Sequence, residues 1–196
     1  MREPSHLKNC RRNRQDSEKD LQKLKWFILE NRPVIYLYTD GAASGNPGPG
    51  GWGVVLKCGP LRREMSGGFA LTTNNRMELM AVIKGLEAIK WDNAAVEVYS
   101  DSSYVVKAVT EGWLDKWLAS GFKKKKNKDL WLRFLPLYKK HRVGFHWLKG
   151  HAGHPENERC DRLAVEAGSQ PGLPEDEGYT KEETSSEIQW TTENSQ

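Results

Sequence analysis

Cysteine is scarce in this sequence. There are three in 196 residues, Cys10, Cys58 and Cys160, and they are widely separated. An odd number at such spacing disfavours both a disulfide framework and a structural zinc site. This usage is typical of proteins kept in a reducing compartment.

Long apolar runs are also missing. No segment approaches the roughly 20 apolar residues that a membrane-spanning helix needs. The first twenty residues, MREPSHLKNCRRNRQDSEKD, carry many charges and have no apolar core of the kind found in secretory signals. We therefore predict a cytoplasmic protein, monomeric by default, that makes no contact with membranes.

Charge is unevenly distributed along the chain. Residues 1–33 carry nine basic and five acidic side chains, and we predict a basic extension that is mostly disordered. Residues 34–167 carry twenty and fourteen, whereas residues 168–196 carry one and seven and are predicted to form an acidic, unstructured tail. Within the central domain, residues 113–142 hold ten basic and two acidic side chains, which indicates a polyanionic partner.

The apolar patterns predict an α/β domain with a five-stranded mixed sheet flanked by helices. The predicted strands cover residues 34–39, 51–57, 62–71, 95–100 and 142–148. Helices are predicted over 75–90, 102–111, 113–120, 129–140 and from Pro155 to near Gly168. Short connections make the first three strands an antiparallel meander, and a right-handed crossover can place the fourth parallel to the first. We also predict a bulge at Gly67-Gly68 and a kink or break at Pro136.

Four acidic residues fall at related places in this predicted fold. Asp40 and Asp101 each follow a predicted strand, and parallel neighbours would bring their carboxylates to one edge of the sheet. Glu78 lies in the first turn of the first long helix, and Asp161 lies in the last helix. The sequence therefore predicts that four carboxylates share one cleft.

Each of these acids also has a purely structural interpretation. Asp40 could begin a turn, and Asp101 could cap a helix. Glu78 could close a capping box with Asn75, and Asp161 could be a solvated helix charge. Four carboxylates in one cleft would repel one another unless cations lay between them, and all-oxygen ligands favour Mg²⁺ or Mn²⁺ over Zn²⁺.

Four long segments resemble the type 1 ribonuclease H family, in its bacterial branch: TDGAASGNPGPGGWG, TTNNRMELMA, SDSSYVV and WLKGHAGHPENERCDRLA. The resemblance covers residues 34–167, and PEDEGY extends it towards Tyr179. It implies a ribonuclease H-like fold and hydrolysis of the RNA strand of RNA–DNA hybrids. Such cleavage uses two Mg²⁺ ions, with Mn²⁺ as a possible substitute, and leaves 5′-phosphate and 3′-hydroxyl ends.

The resemblance also implies roles for individual residues. Asp40, Glu78, Asp101 and Asp161 match the family's metal-binding, catalytic acids, and His151 matches its catalytic loop histidine. The implied substrate-binding residues are Gly41, Asn46, Asn74, Asn75, Trp113, Trp117, Lys123, Lys124, Lys125 and Lys126. Ser103 stands where many relatives carry glutamine, which puts one minor contact with the substrate in doubt.

The lysine-rich loop resembles the basic handle with which some relatives hold their substrate. A solvated charged surface is the ordinary interpretation of a lysine run. Phe122 and the tryptophans Trp113, Trp117 and Trp131 favour nucleic acid instead, although these tryptophans could simply pack the handle onto the core.

Three functions compete on this sequence. The first is a metal-dependent hybrid endonuclease. The second is a hybrid-binding module without activity, which the presence of all four acids disfavours. The third is another nuclease of the same scaffold, such as a junction resolvase or a retroelement domain, and these lack the HAGHPENERCD loop.

Overall fold

A computed structural model of the protein describes residues 33–150 and 152–181. The predicted basic extension before Pro33, the loop histidine His151 and the last fifteen residues of the predicted tail lie outside the described residues. All elements given below belong to the unit that begins at Val34. Among the described residues, no helix is both long and apolar enough to cross a membrane.

Five strands form one mixed sheet in the order β3-β2-β1-β4-β5. They are β1 (Ile35–Ala43), β2 (Gly48–Cys58), β3 (Leu61–Thr72), β4 (Ala95–Ser100) and β5 (Arg142–Trp147). The first three are antiparallel neighbours, and β4 runs parallel to both β1 and β5. The predicted fold class is therefore confirmed.

The central strand β1 continues beyond the parallel part of the sheet. Its pairing with β4 ends where Thr39 faces Ser100, whereas its pairing with β2 continues until Ala43 faces Gly50. The sequence pattern predicted that Asp40 follows the strand, whereas the structure places it inside β1. Asp40 is still the first residue of β1 beyond the parallel pairing, and Asp101 is the first residue after β4. The two acids therefore lie at the same edge of the sheet.

Five helices of the described chain flank this sheet. They are α1 (Asn74–Glu87), α2 (Ser103–Thr110), α3 (Trp113–Ala119), α4 (Lys128–Lys140) and α5 (Pro155–Gly168). Helix α1 packs on β1 and β2, and its predicted apolar face is the centre of the core, since Leu79, Val82 and Leu86 are completely buried. Helix α4 covers the outer side of α1 and runs through Pro136 without the predicted break.

Helix α5 lies on the opposite face of the sheet, against glycines of β2. A Cβ atom on Gly53 would stand 2.1 Å from the carbonyl oxygen of Cys160, and one on Gly51 would stand 2.2 Å from that of Ala164. Only hydrogen atoms fit at these two points, so the α5 backbone rests directly on the strand. This close packing fixes the height of Asp161, the residue after Cys160, above the sheet.

The predicted bulge at Gly67-Gly68 is wrong. Both glycines are in regular register, facing Trp52 and Gly51 of β2, and the register shift begins one pair later, between Gly50 and Gly48. Gly68 instead allows close packing, because a Cβ there would stand 3.0 Å from the Ala167 carbonyl oxygen.

The part of the predicted unstructured tail that the structure describes is folded onto the domain. The backbone N–H of Ala70 donates to the Pro174 carbonyl at 2.8 Å. The carboxylate of Asp176 accepts hydrogen bonds from the Thr72 hydroxyl at 2.7 Å and from Arg76, whose guanidinium also holds Asp129. Arg76 is fully buried and Asp176 is 4% exposed, so this ion pair anchors the chain up to Lys181.

Candidate active site

Asp40 is the most buried of the four predicted acids, with 9% of its surface exposed. One carboxylate oxygen accepts a hydrogen bond from the N–H of Gly41 at 2.7 Å. A Cβ on Gly41 would stand 2.2 Å from the backbone nitrogen of Glu78, so glycine lets β1 approach the first turn of α1. This close approach brings Asp40 and Glu78 into one cleft.

Two neutral side chains hold the Glu78 carboxylate. Asn74 donates to one oxygen at 2.9 Å, and the hydroxyl of Ser102 donates to the other. Ser102 is also the N-cap of α2, because its oxygen accepts from the N–H of Val105 at 3.3 Å. A single serine thus links the acid of α1 to the segment that follows Asp101.

Asp101 is oriented by residues from two other elements. The amide nitrogen of Asn157, at the start of α5, donates to a carboxylate oxygen of Asp101 at 3.1 Å. The indole N–H of Trp147 donates to the backbone carbonyl of Asp101 at 3.0 Å. Gly150 passes so close that a Cβ on it would stand 3.0 Å from the Asp101 carboxylate.

The four acids lie close enough for the other three to raise the pKa of Asp40 by charge repulsion. The pKa of the Asp40 carboxyl is raised to about 8, first by burial and then by the negative charges of Asp101, Asp161 and Glu78, against the hydrogen bond from Gly41. The pKa of Glu78 is raised to about 7, mainly by burial and further by Asp101, although the hydrogen bonds from Ser102 and Asn74 lower it. The structure thus brings together all four acids that the sequence pattern singled out.

The chemistry of this cluster fits a hard divalent cation. Its donors are carboxylate oxygens, and their mutual repulsion would be relieved by positive charge. The cluster is not preformed, however, because in 33–150 and 152–181 no three His, Cys, Asp or Glu side chains are arranged to hold an ion together.

A cleft of about 500 Å³ lies at the start of α1, where Asn74 bonds to Glu78, and we call it the handle cleft. Its lining comes from loops and helix starts far apart in sequence: Asn46, Pro47, Thr73, Asn75, Tyr104, Trp117, Lys125, Lys126, Asn127 and Tyr179. Five of the residues predicted to bind substrate are among them. Of the others, Asn74 bonds to Glu78 as described, and its N–H donates to the Asn46 side chain at 3.3 Å.

The handle, which the sequence predicts near residues 113–142, is packed firmly onto the domain. Trp117 packs edge-on against the buried Trp131 with ring centres 5.5 Å apart, and Trp113 reaches the cleft through Trp117, at 6.2 Å. The ammonium group of Lys125 lies 5.6 Å from the centre of the Trp117 ring, a cation–π distance. The side chains of Lys123 and Lys124 are exposed beside them. The tryptophans therefore pack the handle onto the core and also line the cleft.

The structural interpretations of two of the acids, Asp101 and Glu78, are not supported by these contacts. The N-cap of α2 is Ser102 rather than Asp101, and the N-cap of α1 is Thr73, which makes no side-chain capping bond. Glu78 is bonded by Asn74 and not by Asn75 as a capping box would require.

Several residues of the site were not predicted. Asn157 is 4% exposed, and its side-chain nitrogen donates to Asp101 while its side-chain oxygen has no hydrogen-bond partner among the described residues. Tyr104, Asn127 and Tyr179 line the cleft. Only Ser102 carried a local signal, since a serine directly before an apolar helix is a preferred N-cap.

Comparison with known proteins agrees with this geometry. The RNase H family model matches residues 32–169. The ribonuclease H of Desulforamulus reducens is 56% identical over an alignment of 151 residues. The match covers 74% of this chain and 94% of that protein. That of Nitratidesulfovibrio vulgaris is 53% identical over 151 residues, covering 74% and 96%.

Solved structures give the same result. The crystal structure of LC9-RNase H1, a type 1 RNase H, is 34% identical with a TM-score of 0.64, and the similarity covers 70% of this chain and 72% of that one. LC11-RNase H1, solved in complex with an RNA/DNA hybrid, is 28% identical with a TM-score of 0.50, covering 68% and 95%. The chain therefore belongs to the ribonuclease H family of enzymes.

Proposed function

We propose that this enzyme hydrolyses the RNA strand of RNA–DNA hybrids with two bound Mg²⁺ ions, leaving 5′-phosphate and 3′-hydroxyl ends. The observation that carries the proposal is the shared position of the acids: Asp40 and Asp101 lie just past the same parallel pairing, and the close approach at Gly41 brings Glu78 to them. Burial and the neighbouring negative charges also raise the pKa of the Asp40 carboxyl to about 8. Such a group is destabilised when it ionises, and nearby cations would reverse that effect.

The metal ligands in this proposal are Asp40, Glu78, Asp101 and Asp161. Bound Mg²⁺, or Mn²⁺ in its place, stabilises the charge that develops on the attacking and leaving oxygens of a phosphodiester. Ser102, Asn74 and Asn157 orient the carboxylates, since each donates a hydrogen bond to Glu78 or Asp101. The neutral donors thus set the geometry and leave the negative charge available to cations.

The substrate contacts divide between the handle cleft and the acids. Lys123 to Lys126 would contact phosphates without regard to sequence. Contact of Asn46, Asn74, Asn75 and the backbone at Gly41 with a 2′-hydroxyl would distinguish RNA from DNA. This is supported by Asn46 and Asn75, which line the handle cleft, and by Asn74, which bonds to Glu78. His151, by the family resemblance, would shuttle a proton or help the product leave.

The test is cleavage of an RNA–DNA hybrid labelled on its RNA strand. We expect cleavage with Mg²⁺, none with EDTA, and fragments that become substrates for end-labelling by a kinase only after phosphatase treatment. Asp40→Asn should abolish cleavage and leave affinity for the hybrid within about tenfold, because the handle contacts remain.

Asp92→Asn is the matched control. Asp92 is an exposed acid before the start of β4, at the opposite end of that strand from Asp101, and its carboxylate pairs with Lys140 at 3.1 Å. This variant should cleave like the wild type. Substantial turnover by Asp40→Asn, or cleavage that persists in EDTA, would contradict the proposed metal site.

A further inference from the structure

The C-terminal segment that the structure describes leads directly to the handle cleft. The buried ion pair of Asp176 with Arg76 fixes this segment to α1. Tyr179, three residues later, lines the cleft together with Lys125 and Lys126 of the handle. A helical turn over 177–181 brings the described chain to its end only two residues beyond Tyr179. Whatever follows Lys181 therefore starts at the rim of this cleft.

The handle side of the cleft is rich in positive charge. Lys123, Lys124, Lys125 and Lys126 are all exposed. Of the two acids in residues 113–142, Asp129 is held by Arg76 and so is directed to the core side of α4. The potential at the cleft thus favours an anion.

The fifteen residues after Lys181 are anionic. The sequence EETSSEIQWTTENSQ holds four glutamates, Glu182, Glu183, Glu187 and Glu193, and no lysine or arginine. It also holds Ile188 and Trp190, which suit a cleft lined by the aromatic rings of Tyr104 and Trp117. A random coil of fifteen residues has a root-mean-square span of about 20 Å, so a segment of this length that begins at the rim is long enough to reach into the cleft.

We propose that residues 182–196 bind back into the handle cleft and compete there with the nucleic acid. This inference rests on the proposed function, since it takes the cleft to be the place where the hybrid's phosphates bind. The occupant is the acidic segment of the same molecule, held by charge attraction to the handle lysines. The enzyme is therefore partly self-inhibited at low salt.

The expected size of the inhibition follows from the short connection between the acidic segment and the cleft. A segment attached at the rim of its own site acts at an effective concentration on the order of millimolar. If its intrinsic dissociation constant is about tenfold below that, the cleft is free in about one molecule in ten, and apparent affinity for the hybrid falls by the same factor. Salt screens exposed charge pairs, so the inhibition should fade between about 50 and 300 mM NaCl.

The first experiment detects the contact without catalysis. Amide NMR spectra are compared for the full chain and for the full-length variant Glu182→Gln, Glu183→Gln, Glu187→Gln, Glu193→Gln. We expect shift differences at residues 122–127 as well as at 179–181, which vanish at 300 mM NaCl. They should not depend on protein concentration, because the contact is within one molecule. Differences confined to residues near the substitutions would overturn the proposal, and so would differences that grow with concentration, since these would assign the contact to a second copy.

The second experiment measures competition. At 50 mM NaCl the four-glutamine variant, and a chain ending at Lys181, should bind and cleave the hybrid with KM lowered about threefold to tenfold and kcat unchanged. The matched control is Thr184→Ala, Ser185→Ala, Ser186→Ala, Gln189→Ala, which changes four uncharged residues and should keep the KM of the wild type. At 300 mM NaCl all four proteins should converge.

The outcomes separate this inference from the proposed function. If the proteins cleave the hybrid with one common KM at low salt, the tail does not occupy the cleft, and the proposed function stands. If none of them cleaves or binds the hybrid, the proposed function fails, and the NMR comparison alone decides whether the acidic segment contacts the handle.

Discussion

Ser102 shows how much of the site depends on single neutral side chains. Its hydroxyl donates to Glu78, while the same oxygen accepts from the Val105 N–H and so begins α2. The hydrogen bond keeps the pKa of Glu78 lower than burial alone would make it. The residue is 3% exposed, so water cannot readily replace the hydroxyl. It therefore acts on the orientation of an acid and on the stability of a helix.

Ser102→Ala should consequently lower both activity and stability. We expect kcat to fall about tenfold with KM held, because the Glu78 carboxylate loses a fixed position while the substrate contacts remain. Loss of the N-cap should cost about 1 kcal/mol in the free energy of unfolding. Steady-state kinetics and denaturant unfolding measure the two effects separately.

Ser102→Thr is the matched control, since it keeps the hydroxyl and the capping oxygen. It should retain most of the activity and stability. Equal losses of kcat in the two variants would assign the effect to packing, and an unchanged kcat in Ser102→Ala would remove the residue from the site.

A residue of the site could be predicted when the feature that places it is visible in the nearby sequence. Asp40 and Asp101 could be predicted, because the end of a parallel strand is visible in the sequence and neighbouring strands place such ends together. Ser102 and Asn157 act on carboxylates 24 and 56 positions away, and that register is set only by the folded sheet and α5. Asn157 has no local pattern that would distinguish it from any polar residue in the first turn of a helix.

At the scale of elements, α5 is held at a fixed distance from β2 by residues that have no side chain. Gly53 faces Asp40 across the β1–β2 pairing, and the Cys160 carbonyl lies directly over it. Cys160 is buried, and burial strongly raises the pKa of its thiol, which leaves it an inert core residue. Helix position and site geometry are therefore coupled through one glycine.

Gly53→Ala should separate α5 from the sheet. The new Cβ would stand 2.1 Å from the Cys160 carbonyl oxygen, which is backbone and cannot rotate away. We expect a loss of about 2–4 kcal/mol in the free energy of unfolding, as for overpacked cores. We also expect a fall in kcat of about tenfold or more, because Asp161 moves with the helix.

The control is Gly172→Asn, at a turn glycine that has no heavy atom within 4 Å of the added Cβ and a φ of +70°. Asparagine tolerates this left-handed conformation, so its stability and activity should be close to wild type. Wild-type kcat in a destabilised Gly53→Ala protein would show that Asp161 does not depend on the height of α5.

The positions of helices and strands could be predicted where apolar residues recur at regular spacing. They could not be predicted where they depend on contacts between residues far apart in the sequence. The predicted bounds of β4 agree with the structure, and those of α1 and α5 agree closely, because apolar spacing and the N-terminal Pro155 are local signals. The fold of residues 169–181 was missed because it depends on Asp176, whose partners Thr72 and Arg76 lie 104 and 100 residues earlier. The glycines of β3 suggested a bulge because the sequence does not show that a helix lies against them.

At the scale of the whole molecule, charge is segregated into an acidic site and a basic handle. Lysines such as Lys125 and Lys126 line the handle cleft, and the four acids form a separate cluster around Asp40. A polyanion would be attracted by the first and, without cations, repelled by the second. Binding and chemistry should therefore be separable by mutation.

Replacing Lys123, Lys124, Lys125 and Lys126 with alanine should raise KM at low salt and flatten its dependence on salt. Each phosphate contact that is lost removes its counterion release, and exposed contacts act equally in the ground and transition states, so kcat should stay near wild type. Kinetics from 50 to 300 mM NaCl measure both quantities. A large fall in kcat with unaltered KM would give the loop a catalytic role instead.

The repulsion among the acids also makes the stability of the metal-free protein depend on pH. Folded Asp40 keeps its proton until the pH reaches about 8, whereas in the unfolded chain it ionises near its ordinary value of 3.8. The unfolded state therefore releases a proton first, and the free energy of unfolding should fall as pH rises across this window. Because the cleft opens to water, the total effect should be on the order of 1–3 kcal/mol.

Asp40→Asn removes this carboxyl and should raise the melting temperature of the metal-free protein at pH 8, by about 2–4 °C for each kcal/mol relieved. Mg²⁺ binds the folded state, so it should raise the melting temperature of the wild type and raise that of the variant less. Four thermal melts decide the matter, with wild type and variant each measured in EDTA and in Mg²⁺. Most point changes destabilise, so a variant that melts higher in EDTA would be direct evidence for repulsion at this residue. A variant that melts lower in EDTA and gains as much from Mg²⁺ would mean that the four acids do not form a shared metal site.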